Sequence, residues 1–395
     1  MANVSSSNGL EKRPKLRFPG FDEPWRAVHL FDVVNLRRER ARSSKEVYVS
    51  TENLLQNFEG LAPYQNDDEV EGVAYYTGDS LLANIRPYLK KAWYATFDGT
   101  CSADVLAFSP KKISPTFLYN IIARDCFIEY VMSGVKGSKM PRGDKKHILD
   151  YAVAIPEKDE QEKIATFITL ADHRIARQRE LIATLKKYKR GVVRSLLSPE
   201  ECELKNAQWS CDTIGNLGSF IKGAPLSKAD ISKTGTPFIL YGELYTTYHE
   251  VITSVVRKTE AEVDSVYRSI VGDVLIPTSG ETPEEISTAS CVMLPGVILA
   301  GDLNIFRSSK VDGRIMSYIL NHIVNGRIAR VAQGKSIVHV QASEISKIEI
   351  SYPDPETQDR IVRFLEAISS RVEYCEKELD NLIKMRGSLL QQLFI

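Results

Sequence analysis

Apolar residues recur with helical spacing in two long stretches, one near the middle of the chain and one at its end. In the first stretch, alternating steps of four and three residues link ten positions from Ile164 to Leu196. In the second, the same steps link Ile361 to Leu393, each position 197 residues after its counterpart. This heptad spacing predicts two long α-helices, over 155–198 and 352–395, each with one narrow apolar seam. The predicted seam includes Ile164, Ile168, Ile175, Ile182, Leu185, Ile361, Leu365, Val372, Leu379 and Leu382.

A helix of about 40 residues is about 60 Å long, and a single narrow stripe needs a partner helix of similar period. The other copy is the obvious partner, so we expect the two helices to form an antiparallel coiled coil. Chance heptad spacing on a surface helix is the alternative, but ten positions kept in register across both copies argue against it. Lys189 and Arg386 occupy seam positions, and we expect both side chains to extend to the water-exposed edge of the seam.

The two helices also begin alike. The sequences IPEKDEQEKIATF, at 155–167, and YPDPETQDRIVRF, at 352–364, share a proline, a glutamine (Gln161 and Gln358) and acidic residues in the first turn. Prolines before a helix and acids in its first turn are typical N-terminal signals.

A segment of mixed composition precedes each helix. Short Val-, Ile- and Tyr-rich runs alternate with Gly, Pro, Asn and Asp, which is typical of an α+β or α/β domain with short, curved sheets. Both segments contain a Gly-Asp pair before an apolar run, at Gly78 and at Gly272. We therefore predict a disordered tail at 1–14, a domain at 15–154, a helix, a second domain at 199–351 with a short leading linker, and a final helix. This order amounts to an internal repeat with approximate twofold character.

Composition narrows the function classes. The 395 residues are 43% hydrophobic and carry 51 basic and 51 acidic side chains, so a nucleic-acid partner must be held by local patches rather than by net charge. Six cysteines without a CxxC pair indicate reduced thiols rather than a zinc site. The sequence has no apolar run long enough to span a membrane and no secretion signal, so we expect a cytoplasmic protein without a membrane partner.

No sequence motif of an enzyme is complete. Gly334-Lys335-Ser336 lacks the earlier glycine of a phosphate-binding loop, because that position is Ala329. Nucleophile elbows, HExxH helices and the aromatic tetrads of amino-methyltransferases are missing too. We therefore predict no catalytic residue, no metal site and no cofactor in this chain.

Basic residues nevertheless cluster in two places in the first domain, NIRPYLKKAWYA (84–95) and VKGSKMPRGDKKH (135–147). Glycine-punctuated basic loops suit phosphates, and arginine can reach a guanine edge. The second domain offers less basic polar stretches in corresponding places. Solvated loops are the alternative for single residues, and core tyrosines with a surface Glu243 are the alternative in the second domain. The predicted DNA-binding residues are Arg86, Lys90, Lys91, Lys139, Arg142, Lys145, Lys222, Lys228, Tyr241, Glu243, Lys335, Ser336 and His339.

Taken together, these motifs resemble the specificity subunit of type I restriction-modification systems. The resemblance covers essentially the whole chain and is carried by LRFPGFDEPW (16–25), KGSKMPRGDK (136–145), the doubled helix start, YGELYTTY (241–248) and AQGKSIVHV (332–340). The second helix start departs from the usual Glu-Gln pair, because Thr357 precedes Gln358.

The resemblance implies a non-catalytic DNA reader. Two target-recognition domains would each read one half of a split, asymmetric site on double-stranded DNA, and the paired helices, conserved in that family, would set the spacing. Two methyltransferase subunits using S-adenosylmethionine would dock on the chain to methylate adenine, and restriction subunits using ATP and Mg would join them. A coiled-coil adaptor for protein partners and a self-contained methylase or nuclease are the alternatives.

Overall fold

The computed structural model describes residues 13–137, 139–202, 204, 206–332 and 338–395. The chain forms two compact units. Unit 1 consists of Met1–Arg179 with Lys377–Ile395, and unit 2 consists of Glu180–Glu376. Each unit thus combines one globular segment with a stretch of each long helix. Apart from residues 13 and 14, the predicted tail at 1–14 lies outside the described residues.

The globular part of unit 1 holds ten strands and four helices among the described residues. In chain order these are β1 (Arg26–His29), α1 (Leu30–Val33), β2 (Val34–Leu36), β3 (Arg40–Ser44), β4 (Tyr48–Val49), β5 (Glu69–Tyr75), β6 (Ser80–Ala83), β7 (Ala92–Tyr94), β8 (Gly99–Cys101), β9 (Val105–Pro110), α2 (Pro115–Ile122), α3 (Asp125–Ser133), α4 (Lys145–Leu149) and β10 (Ala152–Ile155). The strands form sheets in the orders β2-β9-β6-β7, β3-β5-β8-β4 and β1-β10.

The long helix α5 (Lys158–Leu196) follows and continues into unit 2. The described elements of unit 2 are then β11 (Trp209–Thr213), α6 (Ile214–Leu217), β12 (Gly218–Lys222), β13 (Thr236–Leu240), β14 (Val251–Ile252), β15 (Arg257–Thr259), β16 (Asp273–Pro277), β17 (Ser279–Gly280), α7 (Pro283–Ile286), β18 (Ser290–Val292), β19 (Ile298–Ala300), β20 (Leu303–Ser308), α8 (Gly313–His322), α9 (Asn325–Val331), β21 (Val338–His339), α10 (Ala342–Ser346), β22 (Glu349–Pro353) and α11 (Pro355–Leu393). Their sheet orders are β12-β20-β16-β18-β14, β15-β13-β19, β11-β22 and β17-β21.

The two Gly-Asp landmarks begin equivalent strands. β6 pairs antiparallel with β9, and β16 pairs antiparallel with β20. In unit 1, Arg37 binds Asp79 through Nε and Nη2 at 2.9 and 3.2 Å, and in unit 2 Arg307 binds Asp273 at 2.8 and 3.0 Å. Each turn therefore buries an aspartate that a charge-assisted, two-bond contact compensates.

A buried glutamine fastens each long helix to the domain before it. Gln161 Oε1 accepts the backbone N–H of Ser114, the residue before α2, and its Nε2 donates to the Pro156 carbonyl, both at 2.8 Å. In unit 2, Gln358 makes the same two bonds, also at 2.8 Å, with the N–H of Asp312, the residue before α8, and with the Pro353 carbonyl. A single amide satisfies one donor and one acceptor, which explains why the glutamine recurs in both copies.

The preceding position differs because its partner differs. Glu160 is 1% exposed and binds Arg17 through both carboxylate oxygens at 2.8 Å. Thr357 instead donates its hydroxyl to Asp354 Oδ2 at 2.8 Å, and its own N–H also bonds to that carboxylate. Asp354 therefore caps the helix in the second copy and Thr357 adds a hydroxyl bond to that cap, whereas the first copy needs an acid to neutralise a partly buried arginine.

The long helices contact each other and run antiparallel. In unit 1 the beginning of α5 and the end of α11 share one core, which contains Ile164, Ile168 and Leu393. In unit 2 the end of α5 and the beginning of α11 share another, which contains Val193 and Ile361. The structure confirms the predicted fold class of mixed helix and sheet with two long helices in contact, which run over 158–196 and 355–393.

Seven of the ten predicted seam residues are buried. They are Ile164, Ile168, Ile175, Ile182, Ile361, Leu365 and Val372. Leu185, Leu379 and Leu382 are partly buried. The apolar stripe is therefore covered most completely where each helix packs on a globular segment.

The prediction for the two basic seam residues is wrong. Only 12% of the Lys189 side chain and 14% of the Arg386 side chain are exposed. Lys189 Nζ lies 2.8 Å from Glu250, which also bonds His322 at 2.8 Å, and Arg386 pairs with Asp172. Burial disfavours ionised Glu250, but His322 and Lys189 outweigh that effect and lower its pKa. Internal acids, rather than water, thus compensate both cations.

We expect Gln161→Leu and Gln358→Leu each to loosen one helix from its own domain, because a buried amide N–H and a carbonyl lose their partner. The cost is about 1–3 kcal/mol for each buried group left unpaired. Hydrogen exchange should accelerate at the Ser114 amide in the first variant and at the Asp312 amide in the second. Gln391→Leu, at an exposed position of α11, is the matched control. Unchanged exchange at both amides would refute the role assigned to the glutamines.

Candidate nucleic-acid interface

A short hairpin between Lys136 and Arg142 carries two of the six predicted basic residues of unit 1, Lys139 and Arg142. Lys136 and Arg142 exchange both backbone hydrogen bonds, at 2.9 and 3.1 Å, and Gly137 takes a φ of 88°. The Arg86 N–H donates to the Pro141 carbonyl at 2.8 Å, so the neighbouring turn is attached to the hairpin. Backbone hydrogen bonds therefore hold the two ends of this loop in place.

The attached turn holds two non-glycine residues in a left-handed conformation. Arg86 and Lys90, with φ of 49° and 53°, flank the short 3-10 turn Pro87–Leu89. This conformation is uncommon outside glycine and persists where surrounding contacts enforce it. Besides the Arg86 bond, the Phe58 N–H donates to the Lys90 carbonyl at 2.8 Å.

Three predicted cations of unit 1 are exposed and have no side-chain partner among the described residues: Arg86, Lys139 and Lys145. Lys145 begins α4, whose first N–H groups bond to the carboxylate of Asp144. A hydrogen bond from Lys136 and backbone N–H groups lower the pKa of Asp144 to about 2. These free cations can reach an anionic partner without breaking an internal contact.

The other three predicted residues of unit 1 have partners. Lys90 Nζ lies 2.8 Å from Asp125, and Lys91 Nζ donates to the Thr51 carbonyl at 2.6 Å. Arg142 Nη2 lies 3.1 Å from Asp104, yet 57% of the Arg142 side chain remains exposed. The structure thus separates two fold-stabilising lysines from an arginine that is both paired and accessible.

In unit 2 the corresponding region is a pair of two-residue strands, β17 and β21, which pair Ser279 with His339. His339 is exposed, and so is Lys228 on the turn Lys228–Asp230. Lys335 and Ser336, which complete the prediction here, lie outside the described residues. This region of unit 2 is less basic than the hairpin of unit 1.

The remaining predicted residues of unit 2 are engaged within the fold. Glu243 is 8% exposed and binds Arg257 Nε at 2.9 Å and the Leu240 N–H at 3.3 Å. Lys222 Nζ donates to Asn304 Oδ1 at 2.8 Å, and burial lowers its pKa. Tyr241 is half-buried against an apolar core. Glu243 therefore has structural contacts, and its predicted contact with a base stays a prediction.

The sequence does not predict a role for Asp104, which directly precedes β9 and pairs with Arg142 in the structure. Its counterpart Asp302, before β20, instead accepts a hydrogen bond from Ser279 Oγ at 2.7 Å. The available sequence signal is that both copies have an aspartate before this strand, whereas only the first copy has an arginine, Arg142, at the position that is His339 in the second.

Exposed cations without internal partners among the described residues, such as Arg86 and Lys139, are available to an anionic partner. In the part of the chain that the structure describes, no group of three or more His, Cys, Asp or Glu side chains is placed to hold a metal ion. Among the described residues, no helix combines the length and apolar character that a bilayer crossing requires.

Comparison with known proteins agrees with this architecture. The chain is 33% identical over 90 residues to the EcoDI specificity subunit of Escherichia coli, a match that covers 23% of this chain and 20% of that protein. It is 20% identical to the MjaVIII specificity subunit of Methanocaldococcus jannaschii, over 96% of this chain and 93% of that one. The crystal structure of the type I system S subunit from M. genitalium shares the fold, with a TM-score of 0.59, 14% identity and coverage of 97% and 99%.

The family described as the type I restriction modification DNA specificity domain matches the chain twice, over residues 22–187 and 206–385. The two matches account for the internal repeat and span most of the sequence. This chain therefore belongs to the family of type I restriction-modification specificity subunits.

Proposed function

We propose that this chain selects the DNA sequence for a type I restriction-modification enzyme and performs no catalysis itself. Each globular segment reads one half of a bipartite, asymmetric site on double-stranded DNA. The two long helices set the spacing between the halves and dock two methyltransferase subunits, which restriction subunits join. The chain acts in the cytoplasm.

One observation carries this proposal: the two units share buried structural contacts but differ in their exposed loops. The buried glutamine recurs with the same distances, and the buried aspartate of the Gly-Asp turn recurs with an arginine partner, which comes from a different position in each unit. The exposed loops differ, since Arg142 of the basic hairpin corresponds to His339 in unit 2. One frame with two unlike surfaces is what recognition of an asymmetric site requires, because a symmetric reader would demand a palindrome.

The helices support docking of two identical partners. Phe167 and Phe364, 197 residues apart, are 38% and 48% exposed, and Tyr188 and Met385, also 197 apart, are 54% and 49% exposed. Large apolar side chains at equivalent exposed positions offer two similar contact patches. The methyltransferase partners would bring S-adenosylmethionine, and the restriction partners would bring ATP and Mg.

We expect DNA binding by the complex with its methyltransferase to fall steeply with salt, because phosphate contacts release counterions. Lys139→Ala with Lys145→Ala should lower the slope of log affinity against log salt by about two, one for each phosphate that is no longer neutralised. The control is Lys112→Ala, an exposed lysine that follows β9, whereas Asp104 precedes it. This variant should leave the slope unchanged. Binding that ignores salt would favour the adaptor alternative instead.

We also expect four extra residues in one long helix, about one turn and about 6 Å, to change the accepted gap between the half-sites. Neither half should change, because no recognition loop is altered. Methylation sequencing of cells that express the variant with its partner measures both features. A gap identical to that of the parent chain would contradict the spacing role.

A further inference from the structure

The backbone of Arg142 is held on two sides. It is hydrogen-bonded to Lys136 on one side and bridges Ile85 on the other. The Gly143 N–H, next in the chain, donates to the Asn84 carbonyl at 3.1 Å. Arg142 thus lies between two isolated β-bridges rather than on a free loop.

The backbone of Asp104 is hydrogen-bonded to the same residue as the hairpin. Its carbonyl accepts the Asn84 N–H at 2.7 Å, so the aspartate and the hairpin are both bonded to Asn84. Its carboxylate oxygens lie 3.1 and 3.3 Å from Arg142 Nη2. Arg142 Nε and Nη1 have no partner among the described residues, and Nη2 has a second N–H beside the one directed at Asp104, so a parallel pair of donors stays available.

We propose that Arg142 reads a guanine in the half-site of unit 1 and that Asp104 is the positioning residue that orients its guanidinium. This inference rests on the proposed DNA-reading function. Guanine presents two acceptors, O6 and N7, on its major-groove edge, and a planar arginine fork matches them with two parallel bonds. The major groove is wide enough to admit a two-stranded β-ribbon, and the narrow hairpin closed by Lys136 and Arg142 is of similar width.

Two neighbouring cations differ from Arg142 because no acid in the described part of the chain orients their side chains. This difference favours phosphate contacts for them and a base contact for Arg142. Lys139 and Arg86 have no orienting acid among the described residues, and a flexible point charge serves a phosphate well. Arg142 has lost orientational freedom before DNA arrives, which favours a directional contact.

Unit 2 lacks this pair. Asp302 receives the Ser279 hydroxyl, and His339 stands where unit 1 has Arg142. A change at Asp104 should therefore relax one position of one half-site and leave the half read by unit 2 intact.

The test uses the full chain with its methyltransferase partner, after methylation sequencing has defined the wild-type site. Arg142→Ala should reduce discrimination at one guanine by about tenfold to a hundredfold and spare the other half-site. Replacing that guanine by 7-deazaguanine, which lacks the N7 acceptor, should weaken wild-type binding but not weaken binding by Arg142→Ala further. Arg142→Lys, which keeps the charge, should also lose the discrimination.

The positioning role has its own readout. Asp104→Asn should relax the same guanine with little change in overall affinity, and Asp104→Glu should restore it. Lys139→Ala is the comparison, since removing a phosphate-binding charge weakens binding to all sequences alike. An unchanged site in Arg142→Ala, a weakening spread evenly over all bases, or full discrimination in Asp104→Asn would overturn the inference while leaving DNA reading intact. A wild-type complex that selects no sequence would instead refute the proposed function.

Discussion

The structure depends on one side-chain amide placed at the start of each long helix. Gln161 and Gln358 are each 4% exposed, and each bonds both the N-terminus of a domain helix and the carbonyl of the proline-ended strand before the long helix. Because the amide donates and accepts at once, neither a carboxylate nor a hydrophobic residue can replace it without leaving a buried backbone group unpaired. The recurrent glutamine therefore fixes where each domain meets its helix, and the surface loops can vary without disturbing that junction.

Equivalent positions outside this junction have acquired different contacts. Glu160 neutralises Arg17, whereas Thr357 donates its hydroxyl to Asp354, which caps the helix. Asp104 faces the guanidinium of Arg142, whereas Asp302 receives a serine hydroxyl. In each pair the backbone role persists and the side-chain partner changes. Under the proposed function, this pattern would let a duplicated chain keep one way of assembling with its partners while its two halves recognise different sequences.

The sequence predicts the helices better than the site, for physical reasons. Heptad spacing repeats over ten positions and reports a long-range constraint that local context does not hide, so the contact between the helices could be foreseen. The environment of Lys189 could not, because its compensating acid, Glu250, lies 61 residues away and is brought near only by the fold. For the same reason basic composition could not distinguish Lys91, which donates to the Thr51 carbonyl, from Lys139, which is free to meet a phosphate. Residue type allows Glu243 to be a base contact or a surface charge, and only the pairing of β13 with β15 shows that Arg257 lies beside it.

Exchanging one reader tests most directly whether one repeated frame carries two independent readers. Residues 206–351 would be replaced by the corresponding segment of another specificity subunit, and the methylation motif would be sequenced in cells that also express the methyltransferase. We predict a motif in which one half is new while the other half and the gap are those of the parent. A motif with both halves altered, or with neither altered, would contradict the central claim.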